Sequence, residues 1–306
     1  MCAMKRRNDH IGLVQYRRQK RKRRRKRSSE DELAGLLAAI HTILKEYKRR
    51  ISIRHLFYRL ESNKVIEKTE LDYKRLCYHL GQWRRSHEIK WSAFSDSTRW
   101  YVRAPTFDGI DDALAQTVET YRRDLWRDQP YYVEVWVEKE AMLSIISDVT
   151  LKWGVPAFTC KGFNSLTSLF DASETFHRAM VAGKKVIVLH LGDYDPSGKT
   201  AVDAMERTLR KDFDCKITMK RLAVTKEQIR RFKLPTRPPK ESTHSRDWEG
   251  KGCVELDAFP VEPLCRLLEK AITDLIDRFA WKQLRNIETG ERDTMALAAV
   301  KILKIT

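Results

Sequence analysis

The sequence lacks several features that mark secreted, zinc-binding and membrane proteins. Its six cysteines are scattered over 306 residues, and no two have the C-x-x-C spacing of a zinc knuckle. No apolar run approaches the roughly 20 residues of a membrane span. The basic N-terminus has no apolar segment typical of a signal peptide. We therefore expect no membrane association and a reducing compartment: the cytoplasm or nucleoid, or the nucleus in a eukaryote.

Positive charge is abundant but unevenly distributed. The net charge is +18, and residues 5–27 contain thirteen Lys or Arg and one acid, so their net +12 leaves only +6 for residues 28–306. This pattern predicts a polyanionic partner. We interpret residues 1–29 as a basic arm, disordered when free, whose Arg17, Arg18 and Arg21 contact DNA. A solvated tail without a partner is the alternative.

Helical patterns dominate residues 30–128. We predict one helix over residues 33–44, a second from Ser52 to Leu60, and a third over residues 69–86. Its inward-facing side chains are predicted to be Leu71, Leu76, Leu80 and Trp83. Residues 89–91 are short and strand-like, and residues 96–128 form a connector with mixed signals. This order favours a winged-helix DNA-binding domain, with a plain helical domain as the alternative.

Strands and helices alternate from residue 129 to residue 306. Predicted strands cover residues 131–137, 157–160, 185–191 and 216–222, and the helices between them span 10–17 residues. A final helix is predicted over residues 260–279. Alternation of this kind predicts an α/β fold with a mostly parallel sheet.

Acidic residues follow two of these predicted strands. Glu138 ends the first, and Gly192-Asp193-Tyr194-Asp195-Pro196 follows the third. Ligands bind at the carboxyl ends of strands in open parallel sheets, so we expect Glu138, Asp193 and Asp195 to lie near one another. Carboxylates in that arrangement suit Mg²⁺, with Mn²⁺ as an alternative. Taken singly, such residues more often serve as solvated loop residues or helix caps.

Four short motifs, in this order, resemble the Toprim domain. They are residues 137–142 (VEKEAM), 161–163 (KGF), 192–198 (GDYDPSG) and 254–258 (VELDA). Within that superfamily they are most similar to the topoisomerase VI A subunit and its meiotic double-strand-break relatives. The resemblance covers about residues 50–280. It implies a winged-helix domain, a Rossmann-like Toprim domain with a C-terminal helical extension, Mg²⁺ held by Glu138, Asp193 and Asp195, and a homodimer.

A candidate nucleophile lies in the helical region. The family's Arg-Asp-x-Tyr-Tyr motif corresponds to residues 54–58 (RHLFY), which makes Tyr58 the candidate nucleophile and Arg54 its helper. A spacing of four residues puts both on one helix face. A phenol is mostly protonated at neutral pH, and a neighbouring cation assists it. His55 departs from the family's acid, and the basic arm replaces the family's ATPase-binding region, so an ATPase partner is not implied.

Three functions remain open. In the first, Tyr58 attacks a DNA phosphate and forms a covalent link. In the second, Glu138, Asp193 and Asp195 serve a Toprim nuclease in which a metal-activated water attacks. In the third, the protein binds DNA without catalysis. Under each of them Arg84, Arg85, Lys90 and Lys161 are further candidate phosphate contacts.

Deletion of residues 1–27 tests the arm. Loss of thirteen cations should weaken binding to any DNA and reduce the slope of log K against log salt concentration. Fluorescence anisotropy with a labelled duplex measures both. An unchanged slope would show that the arm does not contact DNA.

Overall fold

A computed structural model describes residues 30–47, 50–94, 104–160, 166–238, 248 and 252–303. Tertiary contacts divide the chain into residues 1–42 and residues 43–306. Helix α1 (Glu30–Lys45) crosses this division and opens with three acidic residues, which suit the positive end of the helix dipole. The predicted domain limits at residues 29 and 128 stay predictions, and the predicted disordered arm lies outside the described residues.

Side-chain caps define the next two helices. Helix α2 (Ile53–Ser62) begins after Ser52, whose Oγ accepts a hydrogen bond from the backbone N–H of His55 at 3.0 Å. Helix α3 (Glu70–Arg85) begins after Thr69, which caps it in the same way. Both predicted helices are confirmed.

Two details of this region differ from prediction. Residues 89–91 form no strand: a 3₁₀ turn spans Trp91–Ala93, and Phe94 makes a single β-bridge to Ile51. Leu71 does not face inward but is 67% exposed, because the first turn of α3 points to solvent. Leu76 and Leu80 are buried as predicted. The winged-helix assignment stays a prediction.

In the part of the chain that the structure describes, four parallel strands form a sheet, in the order β2–β1–β3–β4. Their bounds are β1 (Tyr131–Val137), β2 (Ala157–Thr159), β3 (Lys185–Leu191) and β4 (Ile217–Ala223). The predicted α/β class with a parallel sheet is therefore confirmed. The chain leaves β1 towards one edge of the sheet and β3 towards the other. The gap between their carboxyl ends is a topological switch point, where open α/β sheets bind ligands.

Helices cover both faces of the sheet. The helices that follow α3 are α4 (Ile110–Thr120), α5 (Glu140–Lys152), α6 (Leu166–Val181), α7 (Pro196–Lys211), α8 (Lys226–Phe232) and α9 (Val261–Thr273). On one face, α5 and α9 share a core with Val135 and Leu189. On the other, α6 and α7 pack against Trp136 and Val188. The short helices α4 and α8 were not predicted.

The C-terminal region also differs from prediction. Instead of one helix over residues 260–279, α9 ends at Thr273 and α10 (Arg278–Leu303) begins after four intervening residues. Asp277 accounts for the break, because its Oδ1 accepts hydrogen bonds from the backbone N–H groups of Phe279 (2.9 Å) and Ala280 (3.1 Å). No described helix combines the length and apolarity that crossing a membrane requires.

Replacing Phe176 with alanine tests the core between α6 and the sheet. The Phe176 ring is fully buried and stacks on Trp136, with ring centres 6.2 Å apart. The cavity should lower the free energy of unfolding by about 3–5 kcal/mol. Phe170→Ala, on the same helix but 49% exposed, is the matched control and should cost clearly less in urea denaturation. Equal losses would contradict this packing.

Candidate active site

Glu138 and Asp193 meet where strands β1 and β3 end. The backbone N–H of Glu138 donates to Leu191 O at 2.9 Å, which continues the ladder by one residue. Glu138 Oε2 then accepts a hydrogen bond from the backbone N–H of Asp193 at 2.9 Å. The switch point therefore brings together two of the predicted acidic residues, as strand order requires.

Gly192 makes this close approach possible. A side-chain carbon at Gly192 would lie 2.5 Å from His190 Cε1 and 2.8 Å from Glu138 Oε2, which is too close for any other residue. Glu138 can thus reach the backbone after β3 only because residue 192 has no side chain. His190, which lies in strand β3, is buried.

The two aspartates have different surroundings. Asp193 is 6% exposed, and its Oδ1 accepts a hydrogen bond from the backbone N–H of Leu256 at 2.8 Å. Asp195 caps helix α7 through a 2.7 Å hydrogen bond from the N–H of Gly198 to its Oδ1. The alternative interpretation of Asp195 as a helix cap is therefore confirmed, and its role as a metal ligand stays a prediction. A side-chain carbon at Gly198 would lie 3.2 Å from Asp195 Oδ1 and 3.5 Å from Glu138 Oε2, so both acids border the same small space.

The crowding of carboxylates affects their ionisation. Burial, and then the negative charge of Asp193, raise the pKa of Glu138 to about 7. Burial also raises the pKa of Asp193, against the opposing charge of Lys139. Carboxyls whose pKa rises in this way favour either protonation or a nearby cation.

Lys139 supplies a cation from within the chain. Its Nζ lies 2.7 Å from Asp257 Oδ2, 3.2 Å from Asp193 Oδ2 and 3.3 Å from Glu255 Oε2. Burial opposes the charge of Lys139, but the three carboxylates outweigh burial and raise its pKa. Residues 254–258, which form one of the four motifs, are thus connected to the acidic strand ends by the ammonium group of Lys139.

A buried chain of hydrogen bonds continues from Asp257. His55 Nδ1 lies 3.4 Å from Asp257 Oδ1, and His55 Nε2 lies 2.7 Å from Tyr47 Oη. His55 is fully buried, so it does not face solvent. Burial opposes the ionisation of Asp257, but His55 and Lys139 together lower its pKa. His55 therefore ties helix α2 to the segment that holds Lys139.

Tyr58 lies beside the same lysine. Arg54 Nε donates to Tyr58 Oη at 3.4 Å, as the four-residue spacing predicts. The Nζ atoms of Lys68 and Lys139 lie 4.8 Å and 5.3 Å from the centre of the Tyr58 ring. Lys139 thus contacts both Tyr58 and Asp193, and the helical region and the acidic strand ends meet within one chain.

The arrangement of donors bears on metal binding. Among the described residues, no group of three or more His, Cys, Asp or Glu side chains is positioned so that it could hold a metal ion as it stands. The oxygens of Asp193 are bound by Leu256 and Lys139. The donor chemistry nevertheless fits a hard divalent cation: the carboxylates of Glu138 and Asp195 and the backbone oxygen of Asp193 border the space left by Gly198. Burial, and then the negative charges of Asp193 and Asp195, raise the pKa of Glu138. A bound ion would have to replace Lys139 at Asp193.

The other predicted DNA contacts lie elsewhere or outside the described residues. Arg84 stacks on Trp91, with its Cζ 4.2 Å from the ring centre, and Arg85 donates to Gly81 O at 3.2 Å. Lys90 is exposed. None of these three contacts the acidic residues. The remaining candidates, Lys161, Arg17, Arg18 and Arg21, lie outside the described residues.

Three basic residues near the acids were not predicted. Lys68 and Arg237 both pair with Glu255, and Arg221 donates to the backbone oxygens of Gly192 and Asp193. Arg221 lies in β4, where its alignment with His190 in β3 places it next to the acidic loop. No sequence pattern marks Lys68 or Arg237, because both come from loops that only the fold brings together.

Comparisons with known proteins add no family assignment. No protein-family model matches the chain, and searches of curated proteins and of solved structures find no significant match.

Replacing Lys139 with methionine tests its role as the shared cation. Asp257 and Asp193 would remain buried without their partner, so the free energy of unfolding at pH 7 should fall by about 3–5 kcal/mol. This loss of stability should become smaller as the pH falls. Without the positive charge of Lys139 the pKa of Asp257 is higher, so a proton neutralises the buried carboxylate at low pH. Urea denaturation between pH 4 and pH 8 measures both effects.

The matched control is Lys152→Met, at the far end of helix α5. Lys152 pairs with Glu269 at 2.5 Å on the surface and is 61% exposed, so its loss should change stability by less than about 1 kcal/mol. A Lys139→Met variant as stable as this control at every pH would contradict the role of Lys139.

Proposed function

We propose that the protein cleaves DNA strands by Mg²⁺-dependent transesterification, with Tyr58 as the nucleophile. The observation that supports this most is the position of Lys139, which lies 5.3 Å from the Tyr58 ring centre and 3.2 Å from Asp193 Oδ2. A phenol, cations and clustered carboxylates within one site are the groups that phosphoryl transfer to a protein side chain requires. The resemblance to the topoisomerase VI A subunit supports the same proposal.

Glu138, Asp193 and Asp195 would hold the metal ion. Mg²⁺, or Mn²⁺, would neutralise charge on the phosphate oxygens when bound. The protein supplies the carboxylates from two strand ends, and Gly192 and Gly198 leave room for them to converge. Lys139 would then be released from Asp193 and would keep its contacts with Glu255 and Asp257.

Tyr58 would attack the phosphorus of a backbone phosphodiester. A bond forms between Tyr58 Oη and phosphorus as the bond from phosphorus to one sugar oxygen breaks. The phenol proton is transferred to that sugar oxygen, which becomes a hydroxyl. The number of phosphodiester bonds is conserved, so the step is reversible without an energy source. Arg54, whose Nε already faces Tyr58 Oη, would bind a phosphate oxygen and hold the phenol in line.

A nuclease is the second candidate. The Tyr58 ring contacts the cations of Lys68 and Lys139 and is half-buried, so a structural role for it is also consistent with its surroundings. Water would then attack the phosphate and no covalent link would form. Under both functions DNA is the partner. A homodimer is part of the proposal, and an ATPase subunit is not implied.

Covalent capture of DNA distinguishes these functions. The wild-type protein is incubated with supercoiled DNA and Mg²⁺ or Mn²⁺, denatured, and analysed with and without protease. Protein-linked ends should form, should disappear with EDTA and with Asp193→Ala, and should be absent from Tyr58→Phe. Tyr78→Phe is the matched control, since Tyr78 is 60% exposed on helix α3, and should cleave normally.

Each of the other outcomes would contradict a different part of the proposal. Free ends from Tyr58→Phe at the wild-type level would reject the nucleophile and favour the nuclease. DNA binding without cleavage in either metal would favour a non-catalytic protein. Cleavage by Asp193→Ala would show that the metal site is misplaced.

A further inference from the structure

Glu255 is held by three cations that come from separate parts of the chain. Lys68 and Arg237 Nη2 both contact Glu255 Oε1, the arginine at 3.0 Å, and Lys139 Nζ lies 3.3 Å from Glu255 Oε2. Lys68 precedes helix α3, Lys139 follows strand β1, and Arg237 follows helix α8. The fold therefore concentrates positive charge around one carboxylate.

These cations exceed what Glu255 needs for its own neutralisation. Lys139 is shared with Asp193 and Asp257, but Lys68 and Arg237 pair with no other acid in the part of the chain that the structure describes. Two full positive charges thus converge on the single negative charge of Glu255. The side chains of Lys68 and Arg237 are about one-third exposed (34% and 33%), whereas Glu255 is 13% exposed, so the cations face solvent more than the acid does.

Tyr58 borders the same space. The charged side chains that line one pocket with Tyr58 are Lys68, Arg237, Glu255, Asp257 and Glu61. Lys68 Nζ lies 4.8 Å from the Tyr58 ring centre. An anion bound by Lys68 and Arg237 would therefore be next to the phenol. A DNA phosphodiester has one negative charge and two non-bridging oxygens, and a carboxylate presents the same charge and a similar pair of oxygens to a guanidinium.

We infer that Lys68, Arg237 and Lys139 form a binding site for a DNA backbone phosphate beside Tyr58, and that Glu255 occupies this site in the DNA-free protein. On binding, the phosphate displaces the Glu255 carboxylate from Lys68 and Arg237. The inference rests on the proposed action on DNA, and it adds the position of one phosphate and an internal competitor for it.

Because Glu255 competes with the phosphate, replacing Glu255 and replacing its cations should change DNA affinity in opposite directions. Binding of a fluorescein-labelled duplex to the full-length protein is measured by anisotropy in EDTA, so no cleavage is needed. Lys68→Gln and Arg237→Gln should each weaken binding by about 3–10-fold and reduce the salt slope by about one. Glu255→Gln removes the competing charge while keeping the side-chain shape, and should tighten binding by about 3–10-fold.

A surface ion pair provides controls for the change in net charge. Lys152→Gln and Glu269→Gln alter the same charges at a pair remote from Tyr58, and should change affinity by less than twofold. Thermal unfolding shows that each variant is folded. Should Glu255→Gln fail to fold, the partly exposed Lys68 and Arg237 still test the phosphate site.

The outcomes separate this inference from the proposed cleavage. Glu255→Gln that binds no tighter than Glu269→Gln, or Lys68→Gln and Arg237→Gln that bind like Lys152→Gln, would overturn the phosphate site. A wild-type protein that does not bind DNA would overturn both proposals. The expected signs without any protein-linked or free ends would keep the phosphate site and reject cleavage.

Discussion

The ion pairs of Lys139 hold the site together. One ammonium group lies within 3.3 Å of Asp193, Glu255 and Asp257, and these three acids come from two distant parts of the sequence. Buried carboxylates are costly without a partner, so Asp193 and Asp257 depend on this cation, while Glu255 also pairs with Lys68 and Arg237. The ring of Tyr58 packs against the same group, which fixes the candidate nucleophile relative to the strand ends.

Backbone geometry and charge support one another around this lysine. Gly192 lets Glu138 reach the N–H of Asp193. Burial, and then the negative charge of Asp193, raise the pKa of Glu138 to about 7. Asp257 also contacts His55, and the other ring nitrogen of His55 is hydrogen-bonded to Tyr47. A metal ion and a DNA phosphate would therefore each enter by replacing an interaction that the protein already makes, at Asp193 and at Glu255 respectively.

Local sequence patterns predicted most of the sheet and its helices, because their signals act over a few residues. The β-rich runs at residues 131–137 and 185–191 are strands with the predicted bounds, and Ser52 and Thr69 begin helices as N-caps do. The predictions were wrong where tertiary packing sets the exposure of a side chain or where a single cap sets the end of a helix. The break at Asp277 and the long helix after it depend on one side-chain oxygen, and the exposure of Leu71 depends on where α3 meets its neighbours.

The sequence by itself determined the α/β class, the strand ends at Glu138 and Asp193, and the spacing that brings Arg54 to Tyr58. Each of these follows from periodicity or from residues only a few positions apart. The tertiary structure alone decided that Tyr58 lies beside Lys139, that His55 is buried, and that Lys68 and Arg237 converge on Glu255. Those contacts join segments far apart in the chain, and an ion pair between loops leaves no periodic trace in either one.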